Sequence, residues 1–176
     1  WHIINLVSKV ATTSEIKLSK TDDSAEADDT HYSHWFLFGS KSNEIVNSFV
    51  NEYRPEFKFH YETPDYPDKW VLEDTIYGKR YEIPPPDTAG DRPYEKTTDF
   101  GVIEKLFDQG NERTYFLFSG LGDRATKGCA QYFLNNWEKL LKKFGNGKFT
   151  VIIKFPGGMG GGTPRLINRA TGEVES

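Results

Sequence analysis

The chain has 176 residues, of which 22 are lysine or arginine and 26 are aspartate or glutamate, so its formal charge is −4. Its 26 aromatic side chains nearly equal its leucine, isoleucine and valine residues together, and each buried ring removes about 150–250 Å² of surface from water. A sizeable core is therefore within reach, and the composition excludes a disordered chain, a collagen-like fibre and a coiled coil.

The first predicted elements are a strand and a helix. Residues 21–30 carry five acids and no base, and we expect them to form a solvated loop. Residues 34–38 form a continuous hydrophobic run that ends at Gly39, which predicts a buried strand. Apolar residues at helical spacing then predict a helix from Ser42 to Tyr53.

The middle of the chain predicts an inserted hairpin. Residues 57–61 alternate between apolar and polar side chains, and residues 70–83 predict two strands that turn near Gly78. Five rings of this region either close the edge of a core or form a wall against a base or sugar ring. They are Tyr61, Tyr66, Trp70, Tyr77 and Tyr81.

The second half predicts two helices and two strands. Residues 98–107 predict a short helix, with Phe100, Ile103, Leu106 and Phe107 on its buried side. Residues 113–118 and 148–155 are continuous hydrophobic runs, which indicate central strands covered on both faces. Between them, residues 126–144 carry one unbroken helical stripe, which ends at Gly145 with lysines in its last turns.

Strands and helices thus alternate along the chain, which predicts an α/β fold. We expect a Rossmann-like three-layer sandwich with a mostly parallel central sheet and an inserted hairpin. Residues 1–176 are expected to form a single domain, and the start at Trp1 rather than Met is consistent with either a fragment of a larger protein or a processed product. The glycine-rich residues 156–164 are expected to be a linker or a lid over the strand ends, with a short hairpin over residues 165–174.

Two strand-to-helix corners carry the residue types that bind anions. In open α/β sheets, ligands bind beyond the carboxyl ends of the strands. The first N–H groups of a helix lack internal partners, the helix dipole favours a negative charge, and glycine lets a phosphate approach the backbone. The predicted ligand-binding residues are Gly39, Ser40, Lys41, Ser42 and Asn43 in the first corner, and Gly120, Gly122, Asp123, Arg124, Thr126 and Lys127 in the second.

No nucleotide motif secures this interpretation. The run from Gly120 to Ala125 fits the pattern G-x-G-x-x-A, but the acid expected about 20 residues later falls inside the long helix. Thr126-Lys127 reverses the order that a Walker A loop requires. The alternative is that both corners are tight turns with ordinary helix caps, Ser42 or Asn43 in one and Asp123 or Thr126 in the other.

The distribution of charge favours a small anion over nucleic acid as the partner. From Arg124 to Lys154 there are seven basic residues and one acid, so this stretch is +6 and the remainder is −10. We expect neither nucleic acid nor a membrane as a partner, and we predict no metal and no cofactor. A homo-oligomer stays open.

Few residues suggest catalysis. Cys129, near Arg124 and Lys127, is either a nucleophile or a small buried residue, and we prefer the second. His31 and His34 have a spacing that a metal site could use, but structural or solvent-exposed histidines are the simpler interpretation.

We therefore predict a sensor domain that binds a nucleotide-like or other phosphorylated small molecule within a larger cytoplasmic signalling protein. One alternative is a nucleotide hydrolase or glycohydrolase that uses a carboxylate such as Glu62 or Asp99. The other is a structural or assembly domain without a ligand. The sequence leaves open whether the chain is an enzyme.

Overall fold

A computed structural model of the chain describes residues 34–39, 46, 53, 55–62, 69–83, 98–107, 113–157 and 162–175. The elements in these ranges are β1 (His34–Phe38), β2 (Phe57–Glu62), β3 (Lys69–Asp74), β4 (Lys79–Glu82), β5 (Asp99–Phe107), β6 (Thr114–Gly120), α1 (Asp123–Phe144), β7 (Phe149–Phe155) and β8 (Arg165–Ile167). Val46 and Tyr53 have helical backbone. The acidic segment 21–30, His31 and the other residues of the predicted helix 42–53 lie outside the described residues.

The larger sheet has five strands in the order β1-β6-β5-β7-β8. β1 is parallel to β6, in register from His34 opposite Thr114 to Phe38 opposite Phe118. The other pairs, β6-β5, β5-β7 and β7-β8, are antiparallel. Because β5 runs against both of its neighbours, β6 and β7 point the same way, and α1 connects them across β5. The strands β1, β6 and β7 therefore end at the same edge of the sheet.

The smaller sheet is the inserted hairpin with one more strand. β2, β3 and β4 are antiparallel neighbours in chain order, and the turn between β3 and β4 contains Gly78 at a φ of 63°, as its predicted place in the turn requires. The hairpin predicted over residues 70–83 is thus confirmed.

The molecule has three layers, with the five-stranded sheet in the middle. α1 covers one face, over a core that includes Ile103, Phe116, Phe118, Cys129, Phe133, Leu140, Val151 and Ile153. The three-stranded sheet covers the opposite face, over a core of Phe57, Leu72, Tyr81, Val102, Leu121, Ile152 and Ile167. Burial on both faces explains why the predicted strands are continuously hydrophobic rather than alternating.

The prediction of a Rossmann-like sandwich with a mostly parallel sheet is wrong. In the described residues β1 and β6 form the one parallel pair, and the layer opposite α1 is a sheet rather than a second row of helices. The error begins at residues 98–107, which form the nine-residue strand β5 instead of a helix. Leu106 and three other apolar residues have helical spacing by chance. A strand that is buried on both faces shows no alternation of polar and apolar residues, so the sequence contains no strand pattern to set against the helical one.

The long helix is confirmed. α1 begins at Asp123, three residues before the predicted start, and ends at Gly145, whose φ of 65° breaks the helix. The glycine-rich residues 156–164 join two neighbouring strands, because β7 ends at Phe155 and pairs directly with β8. Within the described residues, no helix is long and apolar enough to cross a membrane.

Candidate functional site

The two predicted corners meet at one edge of the five-stranded sheet, which we call the carboxyl edge. It comprises Phe38–Gly39 after β1, Ser119–Asp123 at the end of β6, and Phe155–Pro156 after β7. The Gly39 N–H donates to the Phe118 carbonyl at 3.0 Å, and the Ser119 hydroxyl donates to the Gly39 carbonyl at 2.7 Å. These bonds place the two corners side by side.

The structure places the predicted residues of the second corner at the start of α1. Gly122 is the N-cap, Asp123 and Lys127 are exposed, and the Thr126 hydroxyl donates back to the Gly122 carbonyl at 3.2 Å. The alternative interpretation proposed Asp123 or Thr126 as the helix cap. The N-cap residue is instead Gly122, which has no side chain to form a capping hydrogen bond. In the first corner Gly39 is described, while Ser40, Lys41, Ser42 and Asn43 lie outside the described residues.

Arg124 extends the cationic surface of the edge towards β7. Its Nη2 donates to the Phe155 carbonyl at 3.3 Å, so the guanidinium reaches from the first turn of α1 to the end of a second strand. Lys127 lies one turn further along the helix and is exposed. These two cations lie beside two acids, the exposed Asp123 and the buried Asp99 at the start of the same helix, so this part of the edge offers cationic side chains without a net positive charge.

Asp99 occupies the start of α1 with a protein carboxylate. It is fully buried at the beginning of β5, and its Oδ2 accepts from the Ala125 N–H at 3.2 Å while its Oδ1 accepts from its neighbour Phe100 at 2.8 Å. A carboxylate at this position satisfies an otherwise unpaired helix N–H and complements the dipole. The carboxylate that the hydrolase alternative assigns to catalysis thus bonds the start of the helix to the sheet.

The glycines of the second corner have a packing role. A Cβ on Gly120 would lie 2.5 Å from the Thr126 nitrogen, and a Cβ on Gly128 would lie 2.4 Å from Cε1 of Phe155. Such distances are far below van der Waals contact. Both glycines therefore let α1 lie close to the ends of β6 and β7, and for Gly120, the first glycine of the G-x-G-x-x-A pattern, this packing is a reason for glycine that needs no ligand.

Cys129 is a buried core residue, as preferred from the sequence. Its thiol has no exposed surface and lies 3.8 Å from the Ser119 carbonyl. Burial, together with the negative charge of Asp99, raises the pKa of the Cys129 thiol well above its ordinary value. The thiolate needed for a nucleophile is therefore disfavoured.

The aromatic side chains of the middle segment are divided between core and surface. Tyr81 is 6% exposed and Trp70 packs beside it between the two sheets, while Tyr77 is half exposed on the β3-β4 turn. The side chain of Tyr61 and the whole of Tyr66 lie outside the described residues. An aromatic wall built from this set does not form, since its described members face different surroundings.

One buried acid outside the predicted site residues has a strongly raised pKa. Glu104 on β5 is fully buried, and its Oε1 accepts from the Glu56 N–H at 2.7 Å and from the Thr150 hydroxyl at 3.1 Å. Its Oε2 has no hydrogen-bond partner among the described residues. Burial raises the pKa of Glu104 to about 7. The sequence signal was an acid inside a hydrophobic run, which the helix prediction placed on a helix surface.

Metal and catalytic groupings do not form in the described ranges. No group of three or more histidine, cysteine, aspartate or glutamate side chains there could hold a metal ion. The side chains of His34 and Glu62 are outside the described set. Asp99 and Glu104 are both buried, on opposite faces of the sheet, and so do not form an acid–base pair.

Comparison with known proteins adds no assignment: no family model matches the chain, and neither the curated proteins nor the solved structures contain a match. The expectation of a signalling domain depended on the Rossmann-like fold, which is wrong, and neither the structure nor the comparisons support signalling or ligand binding directly. Function must therefore be proposed from the geometry of this chain.

Proposed function

We propose that the chain binds a small phosphorylated or other anionic molecule, with nucleotide-like compounds among the candidates, at the carboxyl edge. The single observation that supports this proposal is the in-register parallel pairing of β1 with β6, which sets the two anion-type corners side by side. Adjacent strand ends of this kind are where ligands bind in open sheets.

The electrostatics of the edge limit where the anion binds. Asp99 already complements the start of α1, so the ligand depends on Arg124 and Lys127 and on the residues after Gly39. Hydroxyl and lysine side chains are concentrated there, at Ser40, Lys41 and Ser42. A charge-assisted hydrogen bond from such groups to a phosphate is about twice as strong as a neutral one. A cytoplasmic location is part of the proposal, and its support is a single cysteine with a free thiol.

Titration calorimetry with nucleoside phosphates, NAD and inorganic pyrophosphate tests the proposal. We expect one of these probes to bind, and Arg124→Ala to weaken that binding by about 1.5–3 kcal/mol, as for a hydrogen bond to a charged group. Lys127→Gln should weaken binding by a smaller factor, since an exposed ion pair contributes about 0.2–1 kcal/mol. Lys139→Gln is the matched control, because Lys139 is an exposed lysine of the same helix near its other end.

Three results would contradict the binding proposal. The first is the absence of both heat and a thermal shift with every probe. The second is equal binding by the wild type, the Arg124→Ala variant and the Lys127→Gln variant. The third is conversion of NAD or a nucleoside phosphate to products, which would favour the hydrolase alternative. Self-association in the ultracentrifuge without any binding would instead favour the structural or assembly alternative.

A further inference from the structure

A cavity of about 610 Å³ lies on the face of the five-stranded sheet opposite α1. Its walls come from β4, the ends of β5 and β7, β8 and residues 172–174. The volume is within the range of about 300–1,000 Å³ that is typical of small-molecule sites. None of the predicted anion-binding residues of the carboxyl edge lines it, so it is separate from that edge.

Cations dominate the polar lining of this cavity. Lys79, Arg80 and Lys154 line it, against one acid, Glu173. Arg80 is already paired with Glu82 on its own strand at 3.8 Å. Lys79 and Lys154 form no ion pair with any described residue. The lining therefore retains positive charge that the surrounding protein does not neutralise.

A pair of like charges beside the cavity also favours an anionic ligand. Lys154 on β7 lies directly opposite Arg165 on β8. Residues directly opposite each other in an antiparallel pair project from the same face of the sheet, and like charges in this arrangement destabilise it. An anion bound between such side chains would remove that repulsion.

The Tyr81 hydroxyl is a buried polar group without a partner. Tyr81 lines the cavity and is 6% exposed, and its hydroxyl has no hydrogen-bond partner in the described part of the chain. Leaving such a group unpaired is costly, and most buried hydroxyls in proteins are hydrogen-bonded. Burial and the charge of Asp74 raise the pKa of Tyr81, while the charge of Arg169 lowers it. The hydroxyl itself is inaccessible from the cavity, so Tyr81 lines the cavity with its ring.

The remaining walls of the cavity are apolar. The rings of Tyr81 and Phe100 lie 5.4 Å apart between centroids, and Ile167 and Val174 line the same space. A bare oxyanion would contact none of this surface, whereas an organic ligand would cover it.

We propose that this cavity is a second binding site, independent of the carboxyl edge, for a small organic phosphate. The phosphate is bound by Lys79 and Lys154, and the apolar body of the ligand lies against Phe100, Ile167 and the ring of Tyr81. The proposal commits to a small molecule, because the volume between the lining residues is that of a small-molecule site.

Titration of the full chain with phenyl phosphate tests this assignment by calorimetry. We expect saturable binding at least about tenfold tighter than that of inorganic phosphate or phenol, since each of these lacks one half of the recognition. Lys79→Gln and Lys154→Gln should each weaken it by about tenfold, which corresponds to one hydrogen bond to a charged group. Lys148→Gln, an exposed lysine at the start of β7 and away from the cavity, should leave binding unchanged.

The stability of the two lysine variants separates loss of a ligand contact from damage to the fold. Because neither Lys79 nor Lys154 forms an ion pair with a described residue, Lys79→Gln and Lys154→Gln should leave the melting temperature unchanged. A clear fall in melting temperature would show that these lysines have a structural role and would overturn the assignment. Equal affinities for phenyl phosphate, phosphate and phenol would also overturn it, as would unchanged binding by Lys79→Gln and Lys154→Gln. Lys127→Gln should not affect the binding of phenyl phosphate in the cavity. The cavity proposal can therefore succeed or fail independently of the proposal for the carboxyl edge.

Discussion

At the level of single residues, Glu104 connects two layers of the molecule. It lies on the central strand β5, and its Oε1 fixes the N–H of Glu56, the residue just before β2. Thr150 on β7 donates to the same oxygen. The Glu104 carboxyl group can accept these hydrogen bonds whether it is protonated or charged. The charged state is disfavoured, because burial removes the water that would solvate an exposed carboxylate.

Replacing Glu104 with glutamine should make the stability of the protein less dependent on pH. Burial raises the pKa of Glu104 from 4.5 to about 7, so the folded state binds the proton more tightly than the unfolded state. The resulting stability is fully present below pH 4.5, declines as the pH rises through about 7 and stays lost above it. We expect Glu104→Gln to gain about 1–3 kcal/mol relative to the wild type between pH 5 and pH 8.

Urea unfolding of both proteins at several pH values measures this difference. Thr150→Val, which removes one donor to the carboxyl but keeps its titration, serves as the control. Because the bond from Thr150 lowers the pKa of Glu104, this variant should keep a pH dependence at least as large as that of the wild type. If the difference in the free energy of unfolding between Glu104→Gln and the wild type did not change with pH, the raised pKa of Glu104 would be contradicted.

At the level of elements, Arg169 attaches the segment after β8 to the three-stranded sheet. Its Nε and Nη2 donate to the two carboxylate oxygens of Asp74, at 2.8 and 3.0 Å, and its Nη1 pairs with Glu56. The guanidinium lies 4.8 Å from the ring centre of Phe57 and 5.3 Å from that of Tyr77. These carboxylates raise the pKa of Arg169 further above its ordinary value.

Breaking this pair from one side should be much more damaging than removing both sides. Asp74 has no exposed surface, so Arg169→Met leaves a buried carboxylate without its cation, at a cost of about 3–5 kcal/mol. Adding Asp74→Asn should recover part of that loss, because the amide oxygen still accepts from Ile76 and Tyr77 without a charge. Urea unfolding of the two single variants and the double variant measures the coupling, and purely additive losses would rule it out.

Prediction from sequence succeeded for elements whose pattern is local. The stripe of α1 and the turn at Gly78 each depend on neighbouring residues, and both were located correctly. β5 was misassigned because its two buried faces leave no alternation, and because Glu104 and Lys105 inside it resemble a polar helix face. The two corners were recognised by residue type, but the adjacency of β1 and β6 depends on strand order, which no local pattern contains.

The cavity illustrates the same limit more strongly. Lys79, Phe100 and Lys154 come from three different strands and are far apart in sequence. Only the packing of the small sheet and the C-terminal segment on the large sheet brings them together. Lys154 was noted in the sequence as part of a basic stretch, yet its neighbours in that stretch lie on α1, on the other side of the sheet.

For the whole molecule, the central sheet makes the two cores interdependent. β5 contributes Ile103 to the core under α1 and Val102 to the core under the three-stranded sheet. β7 does the same with Ile153 and Ile152. Loss of either covering layer would expose one face of strands on which the other layer depends, and burying apolar surface is the main driving force for both.

We therefore expect residues 1–176 to unfold in one cooperative transition, as a single domain. The chain has four tryptophans. Trp137 packs against the core on the helix side and Trp70 against the core on the opposite side, so in a background that carries Trp1→Phe and Trp35→Phe, Trp70→Phe and Trp137→Phe each leave only the tryptophan of the other layer. In urea, the fluorescence transition of either variant should coincide with the loss of helical ellipticity, which is the usual test of two-state behaviour. If the transition of the variant that keeps Trp70 separated from the loss of helix, the three-stranded sheet would be unfolding on its own, and the shared strands would not couple the layers.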